Sequence, residues 1–154
     1  MSKGQRYPAE SREFKDAASG RRIRQVTSHP SIHHHPFFFV PAYDRAMKRL
    51  IFVSHRSGAP QVFFEDRANG ELVQATDRPD LAEWSIMPSG DGRYVYFTAG
   101  TAGFRVDLDT FEEQQLADFG AVEMREKGMV GAAMGTTALS ANGRWWRASR
   151  PRCG

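Results

Sequence analysis

Short apolar runs alternate with breaks of turn-forming residues along this chain, the pattern of strands rather than helices. The runs are Phe37-Phe38-Phe39-Val40, Leu50-Ile51-Phe52-Val53, Gln61-Val62-Phe63-Phe64, Tyr94-Val95-Tyr96-Phe97 and Phe104-Arg105-Val106-Asp107-Leu108. Each is rich in aromatic or β-branched residues, which fit a pleated, half-buried surface, and each is bounded by Gly, Pro, Asp or Ser. The window 110–119 has charges that fit a helix or a hairpin arm equally well.

The order of the pieces repeats. A basic residue leads into a strand at Arg49, Arg93 and Arg144, at intervals of roughly 45–50 residues. Before each lies a turn: Tyr43-Asp44-Arg45, Pro88-Ser89-Gly90-Asp91-Gly92 and Ser140-Ala141-Asn142-Gly143. Asp-Gly and Asn-Gly tolerate the positive φ of tight turns. A second landmark recurs as Asp16-Ala17-Ala18-Ser19-Gly20 before Ile23–Thr27, and as Asp66-Arg67-Ala68-Asn69-Gly70 before Leu72–Thr76. A degenerate third copy starts at Asp107-Leu108-Asp109-Thr110.

A 40–50-residue unit of about four strands predicts a β-propeller blade; a chance repeat in a β-sandwich is the alternative. The expected fold is all-β, a partial propeller of about two and a half four-stranded antiparallel blades. Residues 1–32 are expected to supply outer strands of a closing blade. The first blade is expected over 33–77, the second over 83–119, the start of a third over 129–146, and an irregular tail over 147–154. Propellers need about 4–8 blades, and an open stack exposes strand edges. The chain therefore reads as the front part of a longer protein, or as a unit that assembles into a ring.

Composition narrows the classes. With 40% hydrophobic and 25% charged residues in 154, this is ordinary globular material. No apolar run approaches the roughly 18 residues of a spanning helix, and the polar start lacks a secretory core, so no membrane partner and a cytoplasmic location are expected. The single cysteine, Cys153, fits a reducing compartment. A net charge of +3 is too small to argue for nucleic acid. The arginine clusters at 21–24 and 144–152 lack interleaved aromatic platforms and read as solvated edges.

Several pieces resemble oligogalacturonate lyases: Met-Ser-Lys-Gly at 1–4, then Asp16, Ser19-Gly20 and Val26-Thr27, then Ser31-Ile32-His33-His34-His35-Pro36-Phe37-Phe38-Phe39. Asp91-Gly92-Arg93 and Arg105–Thr110 look like the same family, and are also similar to the wider group of TolB-like propellers. The resemblance covers nearly all of residues 1–146. It implies a seven-bladed propeller that cleaves short oligogalacturonates by β-elimination in pectin breakdown, with bound manganese. The proton removed there is α to a uronate carboxylate, so a cation must offset the developing charge and a base must reach the proton. In such lyases the metal ligands, His with Gln, and the base lie in later blades. No catalytic residue or metal ligand is therefore carried onto this chain, and taken alone it is expected to hold no cofactor and to be inactive.

All five histidines lie between His29 and His55. Three readings stay open for His33, His34 and His35: a polar rim loop, a contact to a uronate carboxylate, or a metal site. Strand alternation puts His33 and His35 on one face, where His55 supplies a third imidazole. Arg56 is a candidate for two-pronged carboxylate binding or a surface arginine. Glu83 and Trp84 open the second inner strand, with Trp84 set to stack on a sugar or to pack between blades. Asp107 and Asp109 read as paired carboxylates or as a hairpin turn. The small-residue stretch 128–135 lacks the lysine and strand–helix context of a phosphate loop. The expected partner is an acidic oligosaccharide. A non-catalytic module binding a protein or oligosaccharide is the competing class, and a metal-binding protein built on the histidines a third.

Overall fold

A computed structural model of the chain describes residues 3–118, 137–140 and 146–148. Thirteen strands run through them: β1 (Arg6–Tyr7), β2 (Arg12–Lys15), β3 (Arg22–Gln25), β4 (His33–His34), β5 (Arg49–Ser54), β6 (Gln61–Asp66), β7 (Leu72–Gln74), β8 (Met87–Pro88), β9 (Tyr94–Ala99), β10 (Ala102–Asp107), β11 (Glu113–Asp118), β12 (Thr137–Leu139) and β13 (Trp146–Ala148). The one helical element among these residues is a single 3-10 turn, Glu83–Ser85, before β8.

The strands form two propeller blades. The first has the antiparallel order β4-β5-β6-β7, the second the order β8-β9-β10-β11. Two strands, β2 and β3, make a separate hairpin, and β12 pairs with β13.

Between the blades lies the main core. Ile51, Val53, Val62, Phe64 and Val73 point from the first blade against Val95, Phe97, Phe104 and Val106 of the second. Cross-strand register explains the shared face: Ile51 opposes Phe64, and Val53 opposes Val62. Burying each such side chain contributes about 1.5–3 kcal/mol. With period two, Phe52, Phe63 and Leu72 emerge on the opposite face, covered by Tyr7 and Val26.

The architecture departs from the sequence reading in three places. Strand β1 adds a fifth strand to the first blade, pairing with β7, where the N-terminal segment was expected to serve a closing blade. Phe37-Phe38-Phe39-Val40 is not a strand. It lies between Pro36 and Pro41, whose missing N–H groups discourage a ladder, and turns with Val40 N–H donating to Phe37 C=O at 2.7 Å. Glu83 and Trp84 lie in the 3-10 turn rather than in an inner strand. Of the two readings left open for the window 110–119, the hairpin arm is the one that forms, as strand β11. The stretch 128–135 and residues 149–154 lie outside the described residues.

Both landmark repeats are physical. In the outer turns Gly20, Gly70 and Phe111 donate their N–H to Asp16, Asp66 and Asp107 C=O at 2.8, 2.7 and 2.8 Å. In the inner turns Met47 and Gly92 donate to Asp44 and Ser89 C=O, both at 3.0 Å.

Candidate functional site

Register decides which histidines meet. His34 opposes Val53 across β4 and β5, so it shares the face of Ile51 and Val53 that looks toward the second blade. His55, two residues past Val53, continues that face. The 3-10 turn brings Glu83 to the same end of the neighbouring blade, just before its inner strand. Glu83 Oε2 then lies 2.7 Å from His55 Nε2 and 3.2 Å from His34 Nε2. The ligand-type atoms of all three residues fall within 4.8 Å of one another.

The surroundings hold this cluster. Trp84 stacks on the His34 ring, with centroids 4.3 Å apart and planes at 25°. Phe37 meets Trp84 edge-on at 6.2 Å. Trp84 stays 51% exposed. His34 Nδ1 lies 2.9 Å from His35 C=O, which fixes that nitrogen as the one bearing hydrogen. Burial pushes the Glu83 carboxyl up, yet the facing rings of His55 and His34 outweigh it, and the carboxyl sits below its usual value.

His33 points the other way, toward Phe52 at 6.2 Å and His29 at 6.1 Å. Its Nε2 donates to His29 C=O at 3.1 Å. Burial lowers its pKa, which favours the neutral ring. His35 is exposed, with its Nδ1 on Pro36 C=O. The three neighbours do share a cavity of about 220 Å³ with Val26, Thr27 and Phe52. The pairing of His33 and His35 with His55 is not what forms: His34 takes that place, because register sets it opposite Val53 and His33 opposite Ser54.

Arg56 is not on the surface. Its side chain is 2% exposed, donates to Glu10 at 2.7 Å, and lies over the Tyr7 ring at 4.4 Å. Its carboxylate partner is thus internal. Asp107 closes a turn: Oδ1 accepts from Asp109 and Thr110 N–H at 2.8 and 3.2 Å, and Oδ2 from Arg93 Nε at 2.9 Å. Asp109 instead pairs with Arg49. The sequence reading missed the grouping of Glu83 with His34 and His55. The available signal was the parity of Ile51, Val53 and His55.

Solved structures match this arrangement of blades. An oligogalacturonate lyase in complex with manganese superposes with a TM-score of 0.73 at 23% identity, over 79% of this chain and 32% of that one. Its fold is that of the oligogalacturonate-lyase propellers. A second such lyase, from Vibrio parahaemolyticus, gives 0.69 at 22% identity, over 74% and 30%. TolB from Acinetobacter baumannii gives 0.50 at 17% identity, over 93% and 36%. The chain spans about a third of the length of the solved chains it matches. No protein-family model matches the sequence, and no curated protein matches it. Among the described residues, no helix is long and apolar enough to cross a membrane.

Proposed function

We propose that this chain forms part of an oligogalacturonate-handling propeller, and that taken alone it binds acidic oligosaccharide without cleaving it. The observation that carries the reading is the half-exposed Trp84, stacked on His34 beside His55, where the inner strands of neighbouring blades begin. An aromatic face suits the apolar side of a sugar ring. The likeness to two lyase structures supports the choice of a uronate oligomer. β-Elimination needs a base and a cation aimed at the same uronate. None of the residues grouped here is assigned as that base, so cleavage is proposed for a whole propeller and not for this chain alone.

Titration of the purified chain with trigalacturonate tests this. Saturable heat, with no rise in ultraviolet absorbance from an unsaturated product, is the expected result. Absence of binding moves the reading to a protein-binding module. Product release by the chain alone sinks the claim of inactivity.

A further inference from the structure

The geometry points to a divalent transition-metal site in this chain, held by His34 Nε2, His55 Nε2 and Glu83, with zinc the best-suited ion. The argument begins with a conflict of lone pairs. His34 Nδ1 faces His35 C=O at 2.9 Å, and a carbonyl only accepts, so Nδ1 carries the hydrogen. In a neutral ring Nε2 is then a bare lone pair, yet it lies 3.2 Å from the Glu83 carboxylate, another acceptor. Two acceptors at that distance repel unless something positive lies between them. Either a second ring proton or a metal cation resolves the contact.

Three features favour the metal. First, His34 and His55 address the same oxygen, Glu83 Oε2, so the donors converge on one point instead of forming separate pairs. Second, tetrahedral zinc with bonds of about 2.0–2.1 Å separates its ligand atoms by roughly 3.3 Å. The His34–Glu83 distance of 3.2 Å already matches this, and the His55–Glu83 contact of 2.7 Å needs only a small opening. Third, the His34 ring already has the outer support that metal-bound imidazoles use, a backbone carbonyl on Nδ1, with Trp84 stacked on its face. Two imidazoles and one carboxylate suit zinc-class ions better than magnesium or calcium, which prefer all-oxygen sets. The three side chains are 16%, 26% and 31% exposed, so solvent reaches part of the cluster. The donor set is separate from the later-blade ligands that the family resemblance implies, and it does not depend on oligosaccharide binding.

The test is calorimetric titration of the metal-free full chain with zinc, alongside manganese and magnesium. One saturable zinc site per chain is expected, with cobalt in its place giving the visible absorption of a four-coordinate ion. His55→Ala and Glu83→Gln should each weaken zinc binding about 100-fold, while His29→Ala leaves it unchanged. If the variants fold poorly, imidazole proton resonances of the unsubstituted chain serve instead: zinc should shift those of His34 and His55 and spare those of His33. Absent zinc binding, equal binding by all variants, or a preference for magnesium or manganese each overturns the inference. Failure of trigalacturonate binding does not touch it.

Discussion

Phe111 stands in the second blade where Gly70 stands in the first. Both donate their N–H to an aspartate carbonyl four residues back, and both hold the left-handed conformation, at φ 61° and 77°. The strand return demands this backbone whatever residue supplies it. Side chains other than Gly pay roughly 1–2 kcal/mol there. Phe111 offsets that by laying its ring on Gly4 and the main core. The same substitution relates Met47 to Gly92, at φ 56° and 74°.

A reversed order of small residues follows at position 111. Phe111→Ala and Phe111→Gly both delete the ring, but only glycine relieves the backbone. Phe111→Gly is expected to be more stable than Phe111→Ala by about 1 kcal/mol, opposite to the usual ranking inside strands. Gly70→Ala should lose about 1–2 kcal/mol, because its Cβ would also lie 3.0 Å from Ala9 Cβ. Urea denaturation of the three variants checks both statements.

The N-terminal hairpin is held to the first blade by Arg24, which grips Glu65 through two contacts of 2.9 and 2.5 Å. Glu65 is fully buried, so removing its partner strands a charge. Arg24→Met should cost about 3 kcal/mol, and adding Glu65→Leu should restore most of it. If the double variant is no more stable than Arg24→Met, the ion pair is not the reason for the loss.

Acid sensitivity has a named source. Burial raises the Glu10 carboxyl, but hydrogen bonds from Thr27, Arg56 and Ser28 N–H and the Arg56 charge outweigh it, lowering the pKa from 4.5 to about 2. The unfolded chain therefore binds the proton more readily than the folded one. The contribution is complete above pH 4.5 and drains away as pH falls toward about 2. It amounts to about 3 kcal/mol. Glu10→Gln should be less stable near neutrality and should flatten the stability profile across that window. An unchanged slope in Glu10→Gln counts against this assignment.

For the proposed sugar contact, Trp84→Ala should weaken trigalacturonate binding about tenfold, or ~1.4 kcal/mol, with little change in unfolding midpoint because the ring is half-exposed. Equal affinity of the variant would move the sugar away from this face. Isothermal titration and thermal unfolding together separate lost contact from lost fold.

Most of the strands, their turns and the repeat that joins them into blades are legible in the order of residues alone. These rest on local chemistry: alternation with period two, aromatic and β-branched runs, and Asp-x-x-x-Gly returns. Leu50–Val53, Gln61–Phe64, Tyr94–Phe97 and Phe104–Asp107 all lie in strands for that reason. Locality also explains the miss at Phe37–Phe39, where apolar residues sit between prolines that deny them a partner strand. Which polar groups meet depends on the folded arrangement. His34, rather than His33 or His35, joins His55 because the pairing of β4 with β5 sets its face. Glu83 joins them across a blade boundary, 49 and 28 positions away in sequence. Arg56 turns inward because Glu10, far along the chain, is there to receive it. Alternation along a strand settles which residues share a face. The partner on that face belongs to another strand, and its identity is settled only when the blades pack.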